Sequence, residues 1–149
     1  MADLYAIDTN VYIRALRDTA ELRRLKQFLR RAGTRLHVHA VVAMELRAGA
    51  RTEAHRDALD ELIAAYAERR RVVVPSFDGF VQAGRVLADL AAHEHVALAT
   101  APRSLQNDVL IATSCREHGV RLVTDNHADF AAIRRHLRGF TFDDPWPLM

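Results

Sequence analysis

The sequence predicts an α/β fold of three layers, in which a mainly parallel sheet of four or five strands lies between two layers of helices. Two observations predict this fold. Short apolar runs of strand length alternate with longer amphipathic stretches along the whole chain. Half of the 149 residues are hydrophobic and they are spread along the chain, which indicates a globular protein. No repeat, low-complexity tract or linker interrupts the pattern, so residues 1–149 are predicted to form a single domain.

The strands are predicted from five apolar runs, of which the last is expected at an edge of the sheet. They cover residues 4–7, 36–39, 71–74, 120–123 and 140–142. The first run ends at Asp8, a residue type that caps helices, so a helix is expected to follow directly. In parallel sheets, ligands bind beyond the carboxyl ends of the strands. We therefore expect the functional residues at that edge.

Helices are predicted from the spacing of apolar residues between these runs. They cover residues 11–16, 20–31, 41–50, 53–70, 77–92, 104–118 and a stretch that follows Asn126 and runs to about His136. Gly33 is expected to end the second helix. The residues of the fifth helix expected to face the core are Phe80, Val81, Gly84, Leu87 and Leu90. Residues 93–103 are predicted to form a mobile loop.

Composition excludes several classes of protein. The single cysteine, Cys115, excludes an internal disulfide and a cysteine-based zinc site, and its apolar neighbours predict a core position. No apolar stretch approaches the roughly 18 residues of a membrane span, and the amino terminus does not resemble a signal peptide. A cytoplasmic protein without membrane contact is therefore expected. If five of the 19 acidic residues lie in one pocket, the rest of the chain carries 21 basic against 14 acidic residues, a balance that suits a polyanionic partner.

Asp108 lies where a charge is unexpected, on the apolar face of a predicted helix. Leu105 precedes it by three residues, and Ile111 and Ala112 follow it by three and four. An ionised carboxylate that faces an apolar interior is unfavourable unless a cation or several donors meet it. The alternative is that the helix begins later and Asp108 is its amino-terminal cap.

Four further carboxylates are expected near Asp108. Glu45 also lies on an apolar helix face, after Val41 and Val42, while the remaining acids follow strands directly or by one helical turn: Asp8, Asp125 and Asp129. Like charges at such separations repel, and divalent cations with a preference for oxygen ligands, Mg²⁺ or Mn²⁺, relieve the repulsion. Two such ions about 3.5–4 Å apart can activate a water and stabilise the leaving oxygen in phosphodiester hydrolysis.

Each acid also has a purely structural interpretation. Asp8 can act only as a helix cap, and Glu45 can be a surface residue paired with Arg47 or Arg51. Asp125 and Asp129 can be turn and cap residues. The joint position of the acids after strands and on apolar helix faces favours a common pocket.

Four segments of the chain together resemble the acidic motifs of PIN-domain ribonucleases, and specifically those of VapC-type toxins of bacterial toxin–antitoxin pairs. They are DTN at 8–10, ELRAGA at 45–50, NDVLIA at 107–112 and TDNHADF at 124–130. The resemblance implies a Mg²⁺- or Mn²⁺-dependent endoribonuclease in which Asp8, Glu45 and Asp108 bind metal. It also implies a homodimer and inhibition by a small cognate antitoxin that inserts into the active site.

The fourth motif does not indicate which of its acids has the functional role. In the family this acid varies between the positions that match Asn126 and Asp129, and the chain adds Asp125, so Asp125 and Asp129 are equal candidates for a catalytic, metal-binding role. Polar neighbours expected to orient the carboxylates or a water are Thr9, Asn10, Thr124 and Asn126.

Three other functions fit parts of the pattern. A PIN nuclease of RNA processing would share the acids without being a toxin. A phosphoacceptor signalling domain also binds Mg²⁺ at strand ends, but it needs a lysine after a late strand, and the only lysine is Lys26 in an early helix. An inactive interaction module would not need the full set of acids.

Overall fold

A computed structural model describes residues 2–149 of the chain. Its strands are β1 (Leu4–Ile7), β2 (Leu36–His39), β3 (Val72–Val73), β4 (Val120–Val123) and β5 (Phe142–Asp143). They form a five-stranded sheet in the order β3-β2-β1-β4-β5, and every neighbouring pair is parallel. The predicted fold class is confirmed, and the sheet is parallel throughout instead of mainly parallel.

The helices alternate with these strands as predicted. They are α1 (Thr9–Arg17), α2 (Thr19–Ala32), α3 (Ala40–Gly49), α4 (Glu53–Glu68), α5 (Phe77–His93), α6 (Arg103–Glu117) and α7 (His127–Arg135). A short 3₁₀ turn, Gly33–Arg35, leads into β2. Residues 94–102, between α5 and α6, contain neither helix nor strand, in agreement with the loop expected there. None of the helices within residues 2–149 is both long and apolar enough to cross a bilayer.

The two faces of the sheet bury separate cores because side chains alternate along a strand. Tyr5 and Ile7 of β1 pack against α1 and α2, in a core that includes Val11 and Phe28. Ala6, between them, points to the opposite face and packs in a core with Ile111 of α6 and residues of α5 and α7. Cys115 is fully buried in this second core, as predicted. Helices therefore cover both faces, which gives the three layers.

Polar caps set the ends of the first two helices. The Asp8 side chain accepts a hydrogen bond from the backbone N–H of Thr9, so α1 begins two residues earlier than predicted. Asp18 caps α2 by accepting from the N–H groups of Ala20 and Glu21. Gly33 ends α2 with φ of 54°, a conformation that favours glycine, as expected from the sequence.

The prediction of the core-facing side of α5 was wrong for most of its residues. The buried positions are Gly79, Ala83, Val86 and Leu90, whereas Phe80 is 55% exposed, Val81 is 39% exposed and Gly84 is exposed. The α5 helix packs on α6, and at Gly79 an added Cβ would lie 3.3 Å from Oε2 of Glu117. Because apolar residues occur on both sides of α5, spacing alone could not identify the packed side. A row of apolar side chains consequently faces outward.

Candidate active site

The candidate site lies at the carboxyl edge of the sheet, where β1 and β4 end side by side. Asp8 follows β1 directly and Thr124 follows β4 directly. The N–H of Asp8 donates to the carbonyl oxygen of Val123 at 2.9 Å, so the pairing of the two strands continues to the first residue of the site. The sheet therefore fixes the backbone of both segments.

Asp8 is the most enclosed acid of the site, with 4% of its surface exposed. Its Oδ1 accepts from the N–H of Thr9 at 2.8 Å, and its Oδ2 accepts from the hydroxyl of Thr124 at 2.8 Å. Burial raises the pKa of Asp8, the two hydrogen bonds lower it, and the nearby Glu45 and Asp125 raise it further. Asp8 is therefore both a helix cap and a member of the site.

Glu45 reaches the same place from α3. The hydroxyl of Thr9 donates to Glu45 Oε1 at 2.9 Å, and Thr9 thus contacts both carboxylates. The alternative ion pair with Arg47 is not formed, because Arg47 Nε donates to Asp60 Oδ1 at 2.7 Å. Glu45 is half-buried and directed at the first motif.

Asp108 joins the site from the middle of α6. The helix begins at Arg103, so Asp108 is not its cap. Burial raises the pKa of Asp108 to about 8, with further contributions from the negative charges of Asp8, Asp129 and Glu45. A hydrogen bond from Asn126 Nδ2 to Asp108 Oδ2, at 3.3 Å, opposes this rise only in part.

The two acids of the fourth motif, Asp125 and Asp129, contact different partners. Asn126 Nδ2 also donates to Asp129 Oδ2 at 3.0 Å, so the amide of Asn126 bridges Asp108 and Asp129. The N–H of Asn126 donates to the hydroxyl oxygen of Thr124 at 3.1 Å, which connects this pair to Asp8. Asp125 instead forms an ion pair with Arg14 of α1 at 3.2 Å. Asp129 therefore belongs to the hydrogen-bonded site, and Asp125 lies at its edge.

Most of the residues singled out in the sequence form one connected network. Its members, in order of contact, are Glu45, Thr9, Asp8, Thr124, Asn126, Asp108 and Asp129. Asn10 is exposed and, within the described residues, its side chain makes no hydrogen bond. Arg14 was not anticipated as a neighbour of the site, because no spacing in the sequence relates it to Asp125.

The donor set has the chemistry of a site for a hard divalent cation. Four carboxylates approach one another, and their mutual repulsion contributes to the raised pKa of Asp108. Within residues 2–149, no group of three acidic, histidine or cysteine side chains is close enough to coordinate a single ion. The carboxylate oxygens contact neutral donors, and oxygen ligands of this type suit Mg²⁺ or Mn²⁺.

An apolar groove of about 530 Å³ opens beside Glu45. Its walls come from α1, α2, α3 and α4, and they include Leu16 at 63% and Leu62 at 47% exposure. Arg17 and Arg51 also line it. The groove therefore joins an exposed apolar surface to the acidic site.

Comparison with known proteins gives one family and several similar structures. A family model described as the PIN domain matches residues 5–136. The DNA-bound VapBC structure from Salmonella typhimurium is 20% identical, with a TM-score of 0.69, and the match covers 96% of this chain and 98% of that chain. FitAcB from Neisseria gonorrhoeae is 18% identical, with a TM-score of 0.68, 97% of this chain covered and 100% of that one.

A toxin–antitoxin complex from Klebsiella pneumoniae is 19% identical, with a TM-score of 0.63, 97% of this chain covered and 99% of that one. At such identities these structures share a fold with the chain. No curated protein is detectably similar in sequence.

The raised pKa of Asp108 predicts how stability depends on pH in the absence of metal. Because its pKa lies at about 8 in the folded chain, above the ordinary 3.8, the folded state binds more protons between these values. The contribution of this group to the free energy of unfolding is therefore fully present below about pH 4 and is lost as the pH rises toward 8. We expect Asp108→Asn to raise the midpoint of thermal unfolding at pH 8 by several degrees, and to raise it much less at pH 5.

Thermal unfolding in the presence of a chelator, followed by circular dichroism at both pH values, measures this difference. Asp57→Asn, at an exposed position of α4, is the matched control and should leave the midpoint unchanged at both. An equal midpoint for the wild type and Asp108→Asn at pH 8 would contradict the raised pKa.

Proposed function

The chain belongs to the PIN-domain family, and on that premise we propose that residues 1–149 act as a single metal-dependent endoribonuclease domain, the toxin of a type II toxin–antitoxin pair. PIN domains are nuclease domains. The observation that carries the proposal is the hydrogen-bonded network that gathers Asp8, Glu45 and Asp108 from three separate elements. Asp8 also caps α1, but that cap needs neither Glu45 nor Asp108, and the three acids repel one another.

Three acids are proposed to hold Mg²⁺ or Mn²⁺: Asp8, Glu45 and Asp108. When bound, the ion would lower the pKa of a water molecule and neutralise the negative charge that develops on the phosphate oxygens. Thr9 and Thr124 fix both oxygens of Asp8, and Thr9 also holds Glu45. Asp108 has to lose its proton before both of its oxygens can act as ligands.

We assign the fourth acidic role to Asp129 in preference to Asp125. Asn126 joins Asp129 to Asp108, and the side chain of Asp129 is exposed, so it can approach a phosphate or a water. Arg14 compensates the charge of Asp125 at 3.2 Å, which weakens the attraction of Asp125 for a cation. Asp125 is proposed to position α1 against the fourth motif.

RNA is the proposed substrate, and the cytoplasm is the proposed place of action. Apart from the carboxylates of the site, the chain carries a clear excess of arginine over acidic residues, and its pI is about 9.1. Arginine pairs well with phosphate oxygens, so this excess supports a polyanionic substrate.

The groove beside Glu45 is the proposed binding surface of a cognate antitoxin. A partner segment with apolar side chains would cover Leu16 and Leu62, and acidic groups on it would pair with Arg17 and Arg51. Because the groove reaches Glu45, a segment bound there would also block the acidic site. The toxin–antitoxin complex from Klebsiella pneumoniae has a similar fold, which supports an antitoxin as the partner.

The nuclease proposal predicts that Asp8→Asn and Asp108→Asn each lower RNA cleavage by at least about 100-fold, because loss of a direct ligand costs more than loss of a supporting residue. Cleavage of a labelled single-stranded RNA with Mn²⁺, and with a chelator, measures the effect. Asp57→Asn is the control at an exposed acid outside the network. Cleavage by both variants at the wild-type rate would disprove the assignment, and absence of Mn²⁺ binding in calorimetry would favour an inactive interaction module.

The two acids of the fourth motif form a matched pair for a second test. We expect Asp129→Asn to lower cleavage by about 10–100-fold, as is usual for groups beside a metal site, and Asp125→Asn to lower it less than Asp129→Asn does. Initial rates at several Mn²⁺ concentrations should show a weaker apparent affinity for the metal only in Asp129→Asn. A larger loss of cleavage in Asp125→Asn than in Asp129→Asn would assign the fourth acidic role to Asp125.

The toxin proposal predicts that induced expression arrests bacterial growth and that the product of a small adjacent reading frame relieves the arrest. Leu62→Arg should remain toxic but escape this relief, because a charged side chain replaces an apolar contact of the groove. Leu98→Arg, at a residue of similar exposure outside the groove, should still be relieved. Absence of arrest despite RNA cleavage in vitro would favour a nuclease of RNA processing.

A further inference from the structure

A second groove, of about 340 Å³, lies between α2 and the last residues of the chain, and we name it the α2 groove. Arg24, Gln27 and Arg31 line it from α2. Because they follow one another at spacings of three and four residues, they share one side of the helix. Residues 145–148, which include Trp146, complete the lining. None of the described residues that line the α2 groove is acidic.

The exposed side of α2 is strongly basic. Between Thr19 and Ala32 the helix has one acid, Glu21, and five basic residues, all of them exposed: Arg23, Arg24, Lys26, Arg30 and Arg31. Within residues 2–149 the side chain of Arg31 forms no ion pair, and the only ion-pair partner of Arg24 is Glu21. Arginine that is free of acidic partners can form paired hydrogen bonds with phosphate oxygens.

A chain of ion pairs connects this basic row to the candidate active site. Arg14 pairs with Asp125 of the fourth motif at 3.2 Å and with Glu21 of α2 at 3.3 Å. Glu21 pairs in turn with Arg24 at 2.6 Å. The row therefore begins beside the fourth motif and continues along α2 for about 10 Å, from Arg24 to Arg31. A strand that leaves the site over α1 would meet Arg24 first.

Trp146 adds an aromatic side chain to the lining of the α2 groove. Its ring packs on the buried ring of Phe28, with 5.4 Å between the centroids, so the core of the domain supports it. The side chain of Trp146 is only partly buried. Arginine and aromatic side chains occur together in channels for single-stranded nucleic acid, where phosphates pair with the arginines and bases stack on the rings.

We propose that the α2 groove binds single-stranded RNA beyond the cleaved bond, with Arg24 and Arg31 at phosphates and Trp146 beside a base. The inference rests on the proposed RNA cleavage and adds a binding surface outside the acidic site. An acidic protein segment would also match the arginines. The ion pairs that lead from the fourth motif to Arg24 favour the substrate, since it has to occupy the site and the groove together.

Trp146 is the only tryptophan of the chain, so its fluorescence reports directly on the α2 groove. With a chelator present, we expect a single-stranded oligouridine of about 12 nucleotides to quench the fluorescence of the full-length wild type. Arg31→Glu should weaken this binding by about tenfold or more and reduce its dependence on salt, because a contact with a phosphate is replaced by repulsion.

Arg56→Glu is the matched control for charge reversal. Arg56 is an exposed arginine of α4 that, within the described chain, also forms no ion pair. This variant should bind the oligouridine as the wild type does. Gln27→Glu, at an exposed position of the α2 groove, is a second variant that should weaken binding. Thermal unfolding verifies that each variant is folded.

Three outcomes would overturn the proposal. The first is a wild type whose fluorescence does not respond to the oligouridine, and the second is binding by folded Arg31→Glu and Gln27→Glu as tight as that of the wild type. The third is an equal response to polyglutamate, which would indicate an acidic protein as the occupant of the α2 groove.

Cleavage with Mn²⁺ separates this proposal from the nuclease proposal. We expect Arg31→Glu to raise the KM for the oligouridine by about tenfold without a change in kcat, because the groove acts in binding alone. Cleavage of a dinucleotide, which is too short to reach Arg31, should be unaffected. A fluorescence response without cleavage by the wild type would contradict only the nuclease proposal, whereas cleavage with the same KM in Arg31→Glu would contradict only the groove.

Discussion

The site depends on negative charges that are held together by uncharged donors. Thr9, Thr124 and Asn126 bind the carboxylates with hydroxyl and amide groups, which fix their positions but do not cancel their charge. In the described chain, none of Asp8, Glu45, Asp108 and Asp129 has a basic side chain at ion-pair distance. A proton on Asp108, or a bound cation, would therefore relieve the repulsion between these acids.

The fold holds these acids close together against their mutual repulsion. Asp8 and Thr124 lie together because β1 and β4 are neighbouring parallel strands, and their pairing extends to the N–H of Asp8. One core holds both α3 and α6 in place, so Glu45 and Asp108 approach from helices that cannot easily withdraw. The free energy of packing two cores thus maintains a cluster of charges that would separate in an open structure.

The sequence was sufficient for the elements and for the convergence of most candidate residues, because strand ends and apolar helix faces are local features. Asp108 illustrates this: its neighbours three and four residues away define an apolar face without knowledge of the fold. Two features could not be predicted. The ion pair of Arg14 with Asp125 joins distant segments whose distance depends on the fold. The buried side of α5 depends on its fit to α6, because both sides of α5 are apolar.

The charges that line the apolar groove beside Glu45 determine which partner the groove can accept. The groove has Arg17 and Arg51, and Glu45 is its only acidic lining residue. A second copy that presented the same groove would bring arginine to arginine, so the groove requires a different, acidic partner.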